Sequence, residues 1–208
     1  MVVRRTLLKA GVGAGLGWSL TSRDGLKAVP YKEPGVPYTE PGVLYTEPVG
    51  NALQGVPDGS GPQVGDLLVR VGDANQYPLS PGEIKRGAKP VIAWAMHPTN
   101  ETLRNGSKLH QVLVVRFDPN NLAADTRSRA ADGVVAYSAI CTQADCVVDD
   151  WLGDEQVLRC ACHDCKFDPK DSAKVVGGVP PRPLAALPLK LDDGQLVVAG
   201  PFTARVGF

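Results

Sequence analysis

All five cysteines and one of the three histidines of the chain fall within the 27 residues Cys141–Phe167. They form two groups, Cys141 with Cys146, then Cys160, Cys162, His163 and Cys165, separated by residues 147–159. Soft ligands grouped in this way suit two loops that face each other across a metal ion or cluster. A chain carrying them needs a scaffold that fixes the loop separation, and strands flanking each loop supply it. Five thiols cannot all pair with one another, so at least one is a ligand, a free thiol or an intermolecular partner.

The rest of the chain supplies such a scaffold. At 208 residues it is long enough for one domain with a proper core plus a tail. Twenty-three glycines and 18 prolines, with only 6% aromatic residues, favour a loop-rich β protein over a helical bundle. Short valine-rich runs recur at Val64–Val71, Pro90–Met96, Gln111–Phe117, Val134–Ser138, Gln156–Cys160 and Gln195–Ala199. Asn105-Gly106, Asp132-Gly133 and Asp193-Gly194 stand between several of them as turn signals, so an antiparallel all-β domain is expected. Asn121–Ala131 is the one stretch outside the N-terminus with fair helical periodicity. Twenty-two basic residues balance 22 acidic ones, which leaves no electrostatic case for nucleic acid as a partner.

The N-terminal third has a different character. Arg4 and Arg5 precede an uncharged run from Ala10 to Leu20, the pattern of a twin-arginine export leader. Residues 1–28 are therefore expected to be a leader, cleaved or retained as a short anchor that associates with a membrane through residues 4–20. The run is too short to span a bilayer core that needs about 20 apolar residues. Export would deliver the protein to the periplasm or the outer face of the cytoplasmic membrane. A heptapeptide repeat follows, beginning at Tyr31, Tyr38 and Tyr45, with a proline in each unit. Proline excludes a coiled coil, so residues 29–61 are expected to be an extended arm or linker. Its 21 repeat residues would reach roughly 65 Å at about 3.1 Å per residue. Tethering the domain and docking the tyrosines on another subunit are both open roles for it.

Cys141-Thr142-Gln143-Ala144-Asp145-Cys146 and Cys160-Ala161-Cys162-His163-Asp164-Cys165 resemble the two boxes of the Rieske iron-sulfur family, Cys-Thr-His-x-Gly-Cys and Cys-Pro-Cys-His-Gly-Ser. Val175–Leu184 is similar to the proline loop that shields the cluster in that family, and Leu187–Gly200 to its closing strands. The resemblance implies a Rieske-like antiparallel β-sandwich over residues 62–208, with a two-loop cluster-binding part at about 139–184. It implies a [2Fe-2S] cluster with Cys141 and Cys160 on one iron, His163 on the other, and a Cys146–Cys162 disulfide between the loops. Such a disulfide suits an oxidising compartment.

Gln143 occupies the place of the family's first histidine ligand, and a neutral amide is a poor ligand for ferric iron. Cys165 is the strongest substitute donor, although it stands where the family has a serine beside the cluster. His97 and His110 are lesser candidates, and Gln143 itself or a solvent ligand is another. A zinc-bound or metal-free scaffold serving assembly is the alternative to an electron carrier. An extra thiolate, the loss of the serine donor, Phe167 in place of a tyrosine and Asp145 in place of a glycine all favour the oxidised form. The expected potential lies at or below the low end of the Rieske range of about −150 to +300 mV. No nucleophile–base set or phosphate loop can be assembled, so the chain reads as an electron-carrying subunit. Its expected partners are the large subunit of a molybdenum enzyme, cytochromes, or both.

Overall fold

The computed structural model describes residues 60–208. The leader at 1–28 and nearly all of the arm at 29–61 lie outside the described residues. The described part is built from two antiparallel sheets. The larger contains β1 (Leu67–Arg70), β2 (Val91–Met96), β3 (Val112–Arg116), β4 (Val134–Ser138), β9 (Leu189–Asp192) and β10 (Gln195–Val198). The smaller contains β5 (Asp150–Leu152), β6 (Val157–Cys160), β7 (Cys165–Asp168) and β8 (Lys174–Gly177). The large sheet has the order β4-β3-β2-β1-β10-β9 and the small one β5-β6-β7-β8, so the small sheet is an insertion between β4 and β9. Both cysteine groups lie within it or at its entrance.

Strands β3 and β4 explain how the insertion is held. Their runs Val-Leu-Val-Val and Val-Val-Ala-Tyr are buried at every position, unlike a sheet wet on one face. Side chains alternate between faces, so Val112, Val114, Val134 and Ala136 fill the core of the large sheet with Leu68, Leu187, Leu196 and Val198. Leu113, Val115, Val135 and Tyr137 face the other way, onto Leu158, Phe167, Ala173 and the thiols of Cys141, Cys160 and Cys165. The small sheet is thus fixed by a second apolar core that includes the cysteines. Tyr137 donates its buried hydroxyl to the carbonyl of Pro169 at 2.8 Å, and Trp151 packs against Phe117 with ring centroids 6.4 Å apart.

The outer edge of β4 does not stay open. Ser138 N–H donates to Ala185 and Leu187 N–H to Ala136, so residues 185–187 cover that edge on their way into β9. Two Asp-Gly pairs form two-residue turns with positive φ at both positions, +48° and +74° at Asp132-Gly133, +46° and +79° at Asp193-Gly194. The first leads into β4 and the second joins β9 to β10, the backbone shape that matches strand twist. Asn105-Gly106 lies instead in the long connection from β2 to β3. The helical stretch is shorter than its periodicity suggests: α1 covers Ala124–Ser128 only, and Ala123 offers no side-chain acceptor to cap it.

Candidate metal centre

Three segments build the site. The first loop leaves β4 at Ile140, which bridges to Val147 across its neck. Within it Cys141 N–H donates to Cys146 O at 2.8 Å, and Asp145 N–H to Cys141 O at 3.2 Å. Asp145 turns the chain with φ +53°, in the left-handed region where the family's glycine sits without cost. The second loop is the β6–β7 hairpin: Cys160 pairs directly with Cys165, and Asp164, also at φ +53°, turns the tip. A Cys146–Cys162 disulfide with Cα atoms 6.7 Å apart joins the two loops.

The third segment is the proline loop after β8. Gly178 takes φ +77°, and a Cβ there would lie 2.9 Å from Asp164 O and from Cys165 Cα, so only glycine lets this loop sit against the hairpin. Thr142, 1% exposed, donates its hydroxyl to Arg182 O at 2.7 Å. The Arg182 guanidinium in turn donates to Gly207 O, and Phe208 N–H donates to Asp145 Oδ1 at 2.6 Å. Lys108 Nζ donates to Asp145 O at 2.9 Å. First loop, proline loop and residues 207–208 thereby close a hydrogen-bonded circuit around one end of the site.

The candidate ligands separate by depth. Cys141, Cys160 and Cys165 are free thiols without exposure, whereas His163 is exposed and Gln143 half-buried. Burial pushes the Cys141 thiol up; the backbone N–H of Gln143 and the Cys160 thiol oppose this, while Cys165 adds to it. Burial likewise raises Cys160, against the N–H groups of Cys162 and His163, and the Cys141 thiol raises it further. Each of these two sulfurs therefore receives backbone N–H donors from its own loop, the arrangement that favours thiolate over thiol once a cation is present. The sulfurs of Cys146, Cys160 and Cys162 lie within 4.8 Å of one another, but two of them are consumed in the disulfide. Cys165 meets the Cys141 thiol and lies 3.9 Å from His163 O. At the rim, Arg159 pairs with Asp164 at 2.6 Å and Asp150 at 3.0 Å. The Trp151 N–H and then Arg159 hold the Asp150 carboxyl below its usual range, and Arg159 does the same for Asp164.

His97 and His110 stand apart in their bonding. His97 Nδ1 accepts from Thr99 N–H at 3.2 Å in the turn after β2. His110 is buried, with Nε2 at 3.2 Å from Ser60 Oγ and Nδ1 at 3.2 Å from Arg104 O. Thr142, Arg182 and Gly178 hold the loops in place; all three lie in the segments that carry the family resemblance, but the sequence alone did not mark this role for them.

Residues 98–188 match the family described as Rieske [2Fe-2S] domain. Over these residues the chain is Rieske-like. It is similar to the "Putative respiratory nitrate reductase subunit Rieske" of Haloferax mediterranei, 45% identical over 50% of this chain and 47% of that protein. It is also similar to the "Cytochrome bc1 complex Rieske iron-sulfur subunit" of Streptomyces lividans, 29% identical over 69% of this chain and 85% of that protein. The chain thus spans about half the length of the Haloferax relative and most of the Streptomyces one. Among solved structures it is similar to the ferredoxin of carbazole 1,9a-dioxygenase from Nocardioides aromaticivorans IC177, with 20% identity, a TM-score of 0.40, and coverage of 64% of this chain and 98% of that one. The donor set fits the Rieske cluster in part: two buried thiols, one exposed imidazole and the interloop disulfide are in place, and Gln143 occupies the sequence position where the family box has its first histidine.

Proposed function

We propose that the chain is an electron-transfer subunit of a multi-subunit respiratory oxidoreductase. The observation that carries this reading is the arrangement of Cys141, Cys160 and His163 on two loops locked by a disulfide, with backbone N–H groups aimed at both thiols. A [2Fe-2S] cluster, when bound there, supplies one-electron transfer. The chain's own residues hold it and set its surroundings. Cys141 and Cys160 would hold it from the buried side as thiolates, whose charge the N–H donors of Gln143, Cys162 and His163 would stabilise. His163 would hold it from the exposed side, where an electron partner can approach. The disulfide and the Thr142–Arg182 bond keep the loops from parting, and the apolar core behind Cys141, Cys160 and Cys165 excludes water.

Relatives named as subunits of nitrate reductase and cytochrome bc1 complexes support partners of that kind, a molybdenum-enzyme large subunit or cytochromes. The twin arginines support a periplasmic location reached by export of the folded, cofactor-loaded chain. A low potential follows from the neighbourhood of the thiolates. Cys165 replaces a hydroxyl donor, Phe167 is buried without a hydroxyl, and Asp145 and Asp164 bring carboxylates to both loops. A redox titration of the reduced-minus-oxidised spectrum tests this: the midpoint is expected near or below about −150 mV and weakly pH-dependent near neutrality. A high midpoint falling steeply with pH would contradict it.

A further inference from the structure

The site lacks one imidazole, and the structure accounts for the donors that could replace it. All three histidines and all five cysteines of the chain lie among the described residues, so no histidine or cysteine remains elsewhere. His97 and His110 are committed to hydrogen bonds in a turn and in a buried niche. Cys146 and Cys162 are joined to each other. Asp145 accepts the Phe208 N–H, and Asp164 is paired with Arg159.

Cys165 is the remaining soft donor, and its register decides where it belongs. It stands directly opposite Cys160 in the β6–β7 pair, and directly paired residues of an antiparallel ladder project on the same face. It has no exposure and meets the Cys141 thiol, so it adds to the buried, thiol-rich end of the site. The family resemblance assigns the missing donor to the iron that the exposed His163 would hold, and in the first box its place is taken by Gln143. The Gln143 N–H serves the Cys141 sulfur much as the His163 N–H serves that of Cys160. Its side chain is a neutral amide, a weak partner for iron.

Resting on the cluster reading above, we infer that the exposed iron position is held by a single protein side chain, His163, and completes its coordination with an exchangeable ligand from solvent. The site is then open to small nitrogen or carbon donors such as imidazole and cyanide. Exchange at that position does not release the cofactor, because Cys141, Cys160 and the disulfide hold the buried end independently. In this chain Gln143 is a specificity residue: it leaves room for an incoming ligand where a histidine would close the position.

The test uses the full chain purified anaerobically, with iron and acid-labile sulfide measured first. The reduced protein is examined by pulsed EPR before and after addition of 15N-imidazole, and by continuous-wave EPR with cyanide. The inference predicts one strong histidine nitrogen coupling before addition and a new 15N coupling after it, together with a shift of the g-values in cyanide. Gln143→His is expected to show two histidine nitrogen couplings without additive and to lose the response to both ligands. Cys165→Ser is expected to respond to imidazole as the unsubstituted chain does. A spectrum unchanged by either ligand in the unsubstituted chain overturns the inference. So does a response that appears only in Cys165→Ser, which would make Cys165 the fourth ligand. Absence of iron and sulfide at the outset would instead overturn the cluster reading beneath it.

Discussion

Asp145 and Asp164 illustrate how single residues set this site apart. Both occupy left-handed turns that the family boxes give to glycine, and both carry a carboxylate that the fold then uses. Asp145 accepts the backbone N–H of Phe208 across 63 residues of sequence, closing the circuit that runs through Arg182 and Thr142. Asp145→Ala is expected to destabilise the protein by about 1–2 kcal/mol, from the lost charge-assisted bond and the strain of alanine in a left-handed turn. Removing the negative charge also raises the midpoint potential. Asp145→Asn should keep most of the stability, because asparagine tolerates that backbone region and its amide oxygen still accepts, yet it should share the rise in potential. Denaturant melts and redox titrations of the two variants separate the terms; equal potentials in all three proteins would remove Asp145 from the electrostatic account. The cysteines, His163 and the vacancy at Gln143 were visible in the sequence because ligand chemistry needs particular residue types. The roles of Thr142, Arg182 and residues 207–208 were not, because they come from contacts across 25 to 63 residues of sequence.

At the level of elements, the sequence was most informative where a strand is buried on both faces or closed by a tight turn. β3 and β4 read directly as apolar runs, and Asp132-Gly133 and Asp193-Gly194 as turns, because their backbone shape requires those residues. β5, β7 and β8 did not stand out as strand signals. β5 is three half-buried residues, β8 is an edge strand with alternate positions exposed, and the inward positions of β7 are Cys165 and Phe167, residues that draw attention as site chemistry before strand pattern. α1 is short because no side chain caps its start and three of its five residues, Asp125, Thr126 and Ser128, are weak helix formers. The glycine that docks the proline loop follows β8 directly, which gives a direct test. Gly178→Ala forces a Cβ against the backbone of Asp164 and Cys165. The cost is expected to be about 1–3 kcal/mol, with faster loss of bound iron to a chelator than in the unsubstituted protein. Retention of iron at the original rate would show that the proline loop does not guard the site.

For the whole molecule, the all-β antiparallel architecture and the Rieske character of residues 98–188 stand together. The insertion of the small sheet between β4 and β9 is what brings both cysteine loops to one end. The export route is a proposal about residues outside that architecture. Replacing Arg4 and Arg5 with lysine is expected to leave the folded, cofactor-loaded chain in the cytoplasm, as read by fractionation; unchanged export would rule out a twin-arginine route. The account of two buried thiols, one exposed histidine and a disulfide as a cluster site stands or falls on what the site binds. Iron, zinc and acid-labile sulfide per chain, measured on anaerobically purified protein, test it most directly. About two irons and about two sulfides per chain are expected, without zinc. Zinc in their place, or no metal, would contradict the electron-transfer account and leave a Rieske-like scaffold that serves assembly.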